Sequence, residues 1–292
     1  MFKNLLVPVT GTPADAAVLA TARLAASIFA AHLECLHVRV DTSEVLMAMT
    51  SSGVGGGDAV QGVIDRMDAE ADTQAATARR TVEDMAAAAG IALRTSPGAQ
   101  GQGGAGVTAE FTQEQGSQSA WVAQYGRFAD LVVVGRGSAE DAGAETLEAA
   151  LMDTGKPLLI APASAPASLG TRVVIAWKDT PEAARAVSCA LPFIAAAKQV
   201  TIVTVANDAE SQDPSGARLL RALRWHNRAV ELHPVLRGTG SAADALHRKA
   251  EDLSADLLVM GGYSHSRLRE VVFGGFTRRT LGGSAMPVLM AH

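Results

Sequence analysis

Short uninterrupted apolar runs alternate along this chain with alanine-rich stretches whose apolar positions recur about every 3.6 residues, the pattern of buried parallel strands separated by amphipathic helices. The first run, Lys3–Val9, meets a turn at Gly11–Pro13 and leads into a helical stretch from Ala14 to Ala31. The same order returns later as Arg172–Ala176, a turn at Asp179–Pro181, and a helical stretch from Glu182 to Ala197. In both copies the proline suits the first turn of a helix, where its missing N–H costs nothing. β-rich runs follow in matched pairs: Leu33–Val40 with Val200–Val205, Ala129–Gly135 with Ala255–Gly261, and Lys156–Pro162 with Met286–His292. Matched runs in one order mark an internal duplication.

Each copy therefore reads as a doubly wound α/β unit, with a parallel sheet covered on both faces. The expected domains are residues 1–165 and 170–292, joined through the Pro-, Ala- and Ser-rich stretch Pro162–Gly170. Within the first unit, Ile64, Met67, Ala71, Ala75, Ala78, Val82, Met85 and Ala89 define one face of a long amphipathic helix, which Gly90 is placed to cap. Thr50–Gly57 and Ser96–Gly106 read as loops.

Composition narrows the function classes. A length of 292 residues suits two domains, and an aromatic fraction of 4% beside abundant alanine suits closely packed helices. The 25 basic and 30 acidic residues give no general field for nucleic acid, so no nucleic-acid partner is expected and any such contact would have to be local. No apolar run is long enough to span a bilayer, and the chain opens directly into a strand rather than a signal peptide, which gives a cytoplasmic reading with no membrane partner. Cys35 and Cys189 belong to no metal-ligand spacing and read as small core thiols.

Candidate chemistry concentrates in Gly261–Thr277. Glycine pairs at 261–262 and 274–275 would let backbone N–H groups approach a ligand, and the second pair reads as opening a helix suited to an anion. Four arginines, Arg267, Arg269, Arg278 and Arg279, stand against one carboxylate, Glu270. This describes a phosphate cradle, the alternative being a glycine-rich connection followed by a solvated basic helix. Other motifs fail on context. Gly101–Gly106 fits a dinucleotide string but opens no helix, Gly155-Lys156 has no phosphate loop before it, and no nucleophile elbow or zinc helix occurs. His32, His37, His226, His233, His247 and His292 form no ligand cluster, so no catalytic constellation or metal site is assigned.

In Val174–Val187, in Gly261–Thr277 and in the matched strand openings, the sequence resembles the universal stress protein family in its tandem form. The resemblance implies two tandem doubly wound domains forming an intramolecular pseudo-dimer. Their closing strands, Pro157–Ile160 and Pro287–Met290, would meet across a two-fold axis, and further association into a homodimer is left open. It also implies ATP binding in the second domain, with Mg²⁺ only as the companion of ATP. The family's glycine motif falls on Gly261, Ser264, Gly274 and Gly275. Ser264 replaces a glycine and Gly275 replaces a hydroxyl residue, while Lys178 stands where ATP-binding members often carry an Asp.

By the same resemblance, adenine and ribose would lie near Val205 and the Ala176-Trp177-Lys178 turn. The phosphates would lie over Gly261–Ser264 and Gly274–Gly275, with Arg267 or Arg269 closing on them and Tyr263 and His265 on the same loop. Trp177 has a competing reading as a packing residue that fills the site. The first-unit loop Gly135–Leu147 keeps no such motif and brings Glu140, Asp141 and Glu145, which would repel phosphate and mark a degenerate, structural copy. Three readings stay open: a nucleotide-binding stress-response protein, a structural or partner-binding one, and a slow ATPase. The last ranks lowest, because the cradle offers only Glu270 as a metal partner.

Overall fold

The computed structural model describes residues 1–42, 58–96, 106–136, 142–207, 214–262 and 284–292. The strands are β1 (Asn4–Val9), β2 (His32–Arg39), β3 (Ala92–Leu93), β4 (Thr108–Gln115), β5 (Leu131–Val134), β6 (Leu158–Ile160), β7 (Arg172–Ala176), β8 (Gln199–Ala206), β9 (Val230–Leu236), β10 (Leu257–Gly261) and β11 (Val288–Ala291). The helices are α1 (Asp15–Phe29), α2 (Asp58–Ala89), α3 (Gln118–Gly126), α4 (Ala142–Met152), α5 (Pro181–Ala196), α6 (Ser215–Leu223) and α7 (Ala242–Asp252).

One 11-stranded sheet runs β3-β4-β2-β1-β5-β6-β11-β10-β7-β8-β9. Outward from the β6–β11 pair the order is the same on each side: β5, β1, β2, β4 in one direction and β10, β7, β8, β9 in the other. Pairing within each side is parallel, and β6 meets β11 antiparallel, with Ile160, Leu159 and Leu158 opposite Val288, Leu289 and Met290. The closing strands thus lie side by side, and the strands of the two sides run in opposite directions. Their C-terminal ends emerge on opposite edges of the sheet.

Successive strand residues point to opposite faces, which divides the interior into two layers. Leu5, Val7, Ile175 and Val259 pack under α1, α2, α5 and α6, whereas Leu6, Val132, Val174 and Leu258 pack under α3, α4 and α7. Helices on both faces explain the near-continuous apolar runs of the inner strands. Phe193 of α5 reaches across to Phe2 and Phe29, with ring centroids 5.7 and 4.9 Å away. The connection Ala161–Thr171 is tied to the second side as well. Ser168 Oγ and the Arg172 N–H donate to Asp256, and Gly170, at φ +71°, sits where a Cβ would lie 3.0 Å from the Phe193 ring.

Several boundaries depart from the sequence reading. Helix α1 starts after Pro13, which lies in the turn before the helix rather than in its first turn. Pro181 does open α5, whose N-cap Thr180 accepts the Ala183 N–H through its hydroxyl at 3.3 Å. Gly90 follows α2 at φ +63°, as a left-handed helix stop requires. Cys35 is fully buried, and burial pushes its thiol up to about 12, so it packs and does not react. The expected loop Thr50–Gly57, and Ser96–Gly106 apart from its two end residues, lie outside the described residues.

Candidate functional site

The strand order reverses direction between β1 and β5, and again between β7 and β10, so each side has one switch point where neighbouring connections diverge. At the second of these, Ala176, Trp177 and Lys178 leave β7, Gly261 ends β10, and Val205 lies near the end of β8, all on one edge of the sheet. Ser264, His265, Arg267, Gly274 and Gly275, together with Tyr263, Arg269, Arg278 and Arg279, lie outside the described residues.

Alternation along β7 decides where Trp177 goes. Val173 and Ile175 belong to the layer under α5 and α6, and Trp177 continues that register, packing against the same layer. Its backbone N–H donates to Val203 O at 2.9 Å and its indole N–H donates to Ser215 Oγ at 2.8 Å, at the start of α6. Ala176 and Val205 pack on the opposite face, with Met260 and Leu246. The indole is therefore on the other side of the sheet from the Ala176–Val205 surface and does not fill it. Lys178 is exposed, and among the described residues it is held in no ion pair.

Gly261 has a packing explanation. A Cβ on it would fall 2.6 Å from the backbone N of Ala183 and 2.7 Å from the carbonyl carbon of Glu182, so the missing side chain lets the first turn of α5 press against the end of β10. Glu182 sits on that turn. Its carboxyl is held below the usual range by a hydrogen bond from its own backbone N–H, then by the Thr180 hydroxyl, Arg185 and His292. Glu182 thus places a carboxylate in the first turn of α5, where the helix start would otherwise favour an anion. Next to it, Gly262 donates its N–H to Ala291 O at 2.9 Å, and a Cβ there would lie 3.3 Å from Leu151 of α4.

The first switch point is closed by its own side chains. Asp15, 2% exposed, accepts the N–H groups of Thr10 and Gly11 and the Thr10 hydroxyl, so the turn amides after β1 point at a carboxylate belonging to the chain. Helix α2 lies directly over the turn: Gly11 is at φ +78°, and a Cβ on it would overlap the backbone carbonyl of Gln74. Arg39, at the end of β2, clamps α2 through Asp68 and Asp72 at 2.9 and 2.8 Å. His37, also buried, shares its Nδ1 proton with Val9 O at 2.9 Å. Counting from Pro13 and Pro181, the residue corresponding to Asp15 in the second side is Ala183, which has no group to bind its turn in this way.

Sequence reasoning missed Asp15 as the closure of the first turn, although a short carboxylate two residues beyond Pro13 was visible. It also missed the cap that α2 forms. Alternation along β7 was a sufficient signal for the direction of Trp177. Among the described residues no group of His, Cys, Asp or Glu could hold a metal ion, and none of the described helices is long and apolar enough to cross a membrane.

The model of the universal stress protein family matches residues 171–292. A curated relative, universal stress protein Slr1230 of Synechocystis, is 44% identical over 50 residues, which take in 17% of this chain and 17% of that protein's length. Among solved structures, a universal stress protein from Archaeoglobus fulgidus DSM 4304 superposes with a TM-score of 0.70 at 18% identity, covering 99% of this chain and 95% of its own. A functionally unknown protein of Pseudomonas aeruginosa PAO1 superposes with a TM-score of 0.54 at 13% identity, covering 99% and 92%. At such identities the two structures speak for the fold alone.

Proposed function

We propose, for a chain whose residues 171–292 belong to the universal stress protein family, that it is a stress-response protein holding one adenine nucleotide at the second switch point. The domains are residues 1–165 and 170–292, in tandem, paired within the chain through β6 and β11. The observation that carries the reading is the contrast between the two turns: Asp15 occupies the amides of the first, while Ala183 leaves the second without a carboxylate of that kind. Ala176 and Val205 supply an apolar surface for a base on the face away from Trp177, and Lys178 supplies a cation for phosphate at the adjoining strand end. ATP is the ligand of choice, and Mg²⁺ would accompany it rather than precede it. The site holds the nucleotide and does not turn it over.

Glu182 and the tight seat of Gly261 favour a second reading, a partner-binding protein with no nucleotide. Thermal unfolding with and without ATP separates the two. A ligand at about 100 times its Kd adds about 2.7 kcal/mol of stability. A shift with ATP that is lost in Lys178→Glu supports the nucleotide reading, and no shift at millimolar ATP supports the other.

A further inference from the structure

The stretch from Arg218 to Arg228 holds four arginines and no carboxylate, on a chain whose net charge is −5. Helix α6 spends its apolar side on the core, where Leu219, Leu220 and Leu223 pack beneath it, so Arg218, Arg221 and Arg224 fall where solvent is. Among the described residues none of Arg218, Arg221, Arg224 and Arg228 is held in an ion pair. Beside them Trp225 is 91% exposed, the highest among the exposed large hydrophobic side chains of the described residues.

The indole is presented on a fixed turn rather than on a loose end. The N–H groups of Arg224, Trp225, His226 and Asn227 donate to carbonyls of the last turn of α6. The Asn227 amide then donates to Ile194 O at 2.7 Å and Ala197 O at 2.8 Å, pinning the turn against the end of α5. Lys198, exposed and next to Ala197, adds a fifth cation to the same surface.

From this surface we propose that the α6–β9 end of the molecule binds single-stranded nucleic acid, with Trp225 stacking on a base and the guanidiniums and Lys198 holding successive phosphates. Planar, always-charged arginines and an open indole face are the two elements of single-strand recognition without sequence preference. An anionic bilayer fits less well. An interfacial helix must turn its apolar side to the lipid, and the apolar side of α6 is already covered by the sheet. An acidic peptide would use the cations but leave the ring face without a role.

Fluorescence anisotropy with a labelled single-stranded oligonucleotide of about 20 nucleotides tests the proposal, since single-strand binders occupy roughly 4–16 nucleotides per module. Wild type binds, prefers the single strand to a duplex of the same sequence, and weakens steeply between about 50 and 200 mM salt. Trp225→Ala loses about tenfold or more in affinity, whereas Trp225→Phe, which keeps an aromatic face, retains most of it. Arg221→Gln with Arg224→Gln lowers the slope of log affinity against log salt by about 0.7 for each phosphate contact removed. Saturating ATP leaves binding unchanged, which separates this surface from the switch-point site. No binding at low salt, equal affinity in wild type and Trp225→Ala, displacement by ATP, or binding to phosphatidylserine vesicles but not to the oligonucleotide would each overturn it.

Discussion

The carboxylate of Asp15 accepts the backbone N–H of Gly11 at 2.7 Å, and it also takes the N–H and hydroxyl of Thr10, so one buried side chain satisfies the whole turn after β1. Replacing it with alanine leaves two half-buried amides without this acceptor. Asp15→Ala is expected to cost about 2–4 kcal/mol, and Asp15→Asn, which keeps one carbonyl oxygen, less. Urea denaturation of the three proteins measures both losses.

Gly261 gives a second expected loss, this time steric. A methyl group placed 2.6 Å from a backbone nitrogen cannot be absorbed by a rotamer change, so α5 must move off the end of β10. Gly261→Ala should destabilise by about 1–3 kcal/mol whether or not nucleotide is present. A variant as stable as wild type would show that α5 does not press against β10 as described.

Phe193 couples the two sides of the sheet through Phe2 and Phe29. Truncation to alanine should cost about 3–5 kcal/mol. Because β6–β11 and this aromatic trio join the sides, calorimetry should show one cooperative transition moved to lower temperature rather than a separate early melting of one part.

How much of this was legible beforehand follows from burial. The inner strands announced themselves because both faces are covered, as in Leu5–Val9 and Leu257–Met260. Strands β4 and β9 did not. Each lies near an open end of the sheet and alternates exposed and covered positions, and β9 carries Pro234, tolerated because the strand has a neighbour on one side only. The strand order alone implied that Ala176, Lys178, Val205 and Gly261 lie along one strand-end edge, and they do. The role of Gly261 was not legible, because a glycine that admits a ligand and one that admits a helix look alike until the neighbouring backbone is located.

A pH effect should arise at the half-buried Glu34 of β2. Glu34 stands opposite Glu110 in register, and its carboxyl is pushed up by burial and by that neighbour, against a lowering hydrogen bond from Asn4 and the charge of His32. A raised carboxylate pKa means that the folded state disfavours the charged form. The penalty is complete above the folded pKa and disappears as pH falls to the ordinary carboxylate range. Glu34→Gln should therefore be more stable than wild type at neutral pH, by roughly 0.2–1 kcal/mol for relief of a like-charge pair, with the gap closing on acidification. Denaturation curves across that window check the sign.

Calorimetric titration of the purified chain with ATP, beside Lys178→Glu, tests the central claim most directly. The account predicts one nucleotide per chain, since Asp15 and α2 close the first turn, and a marked weakening in the variant. Two equivalents per chain, no heat at millimolar ATP, or identical isotherms from both proteins would contradict it.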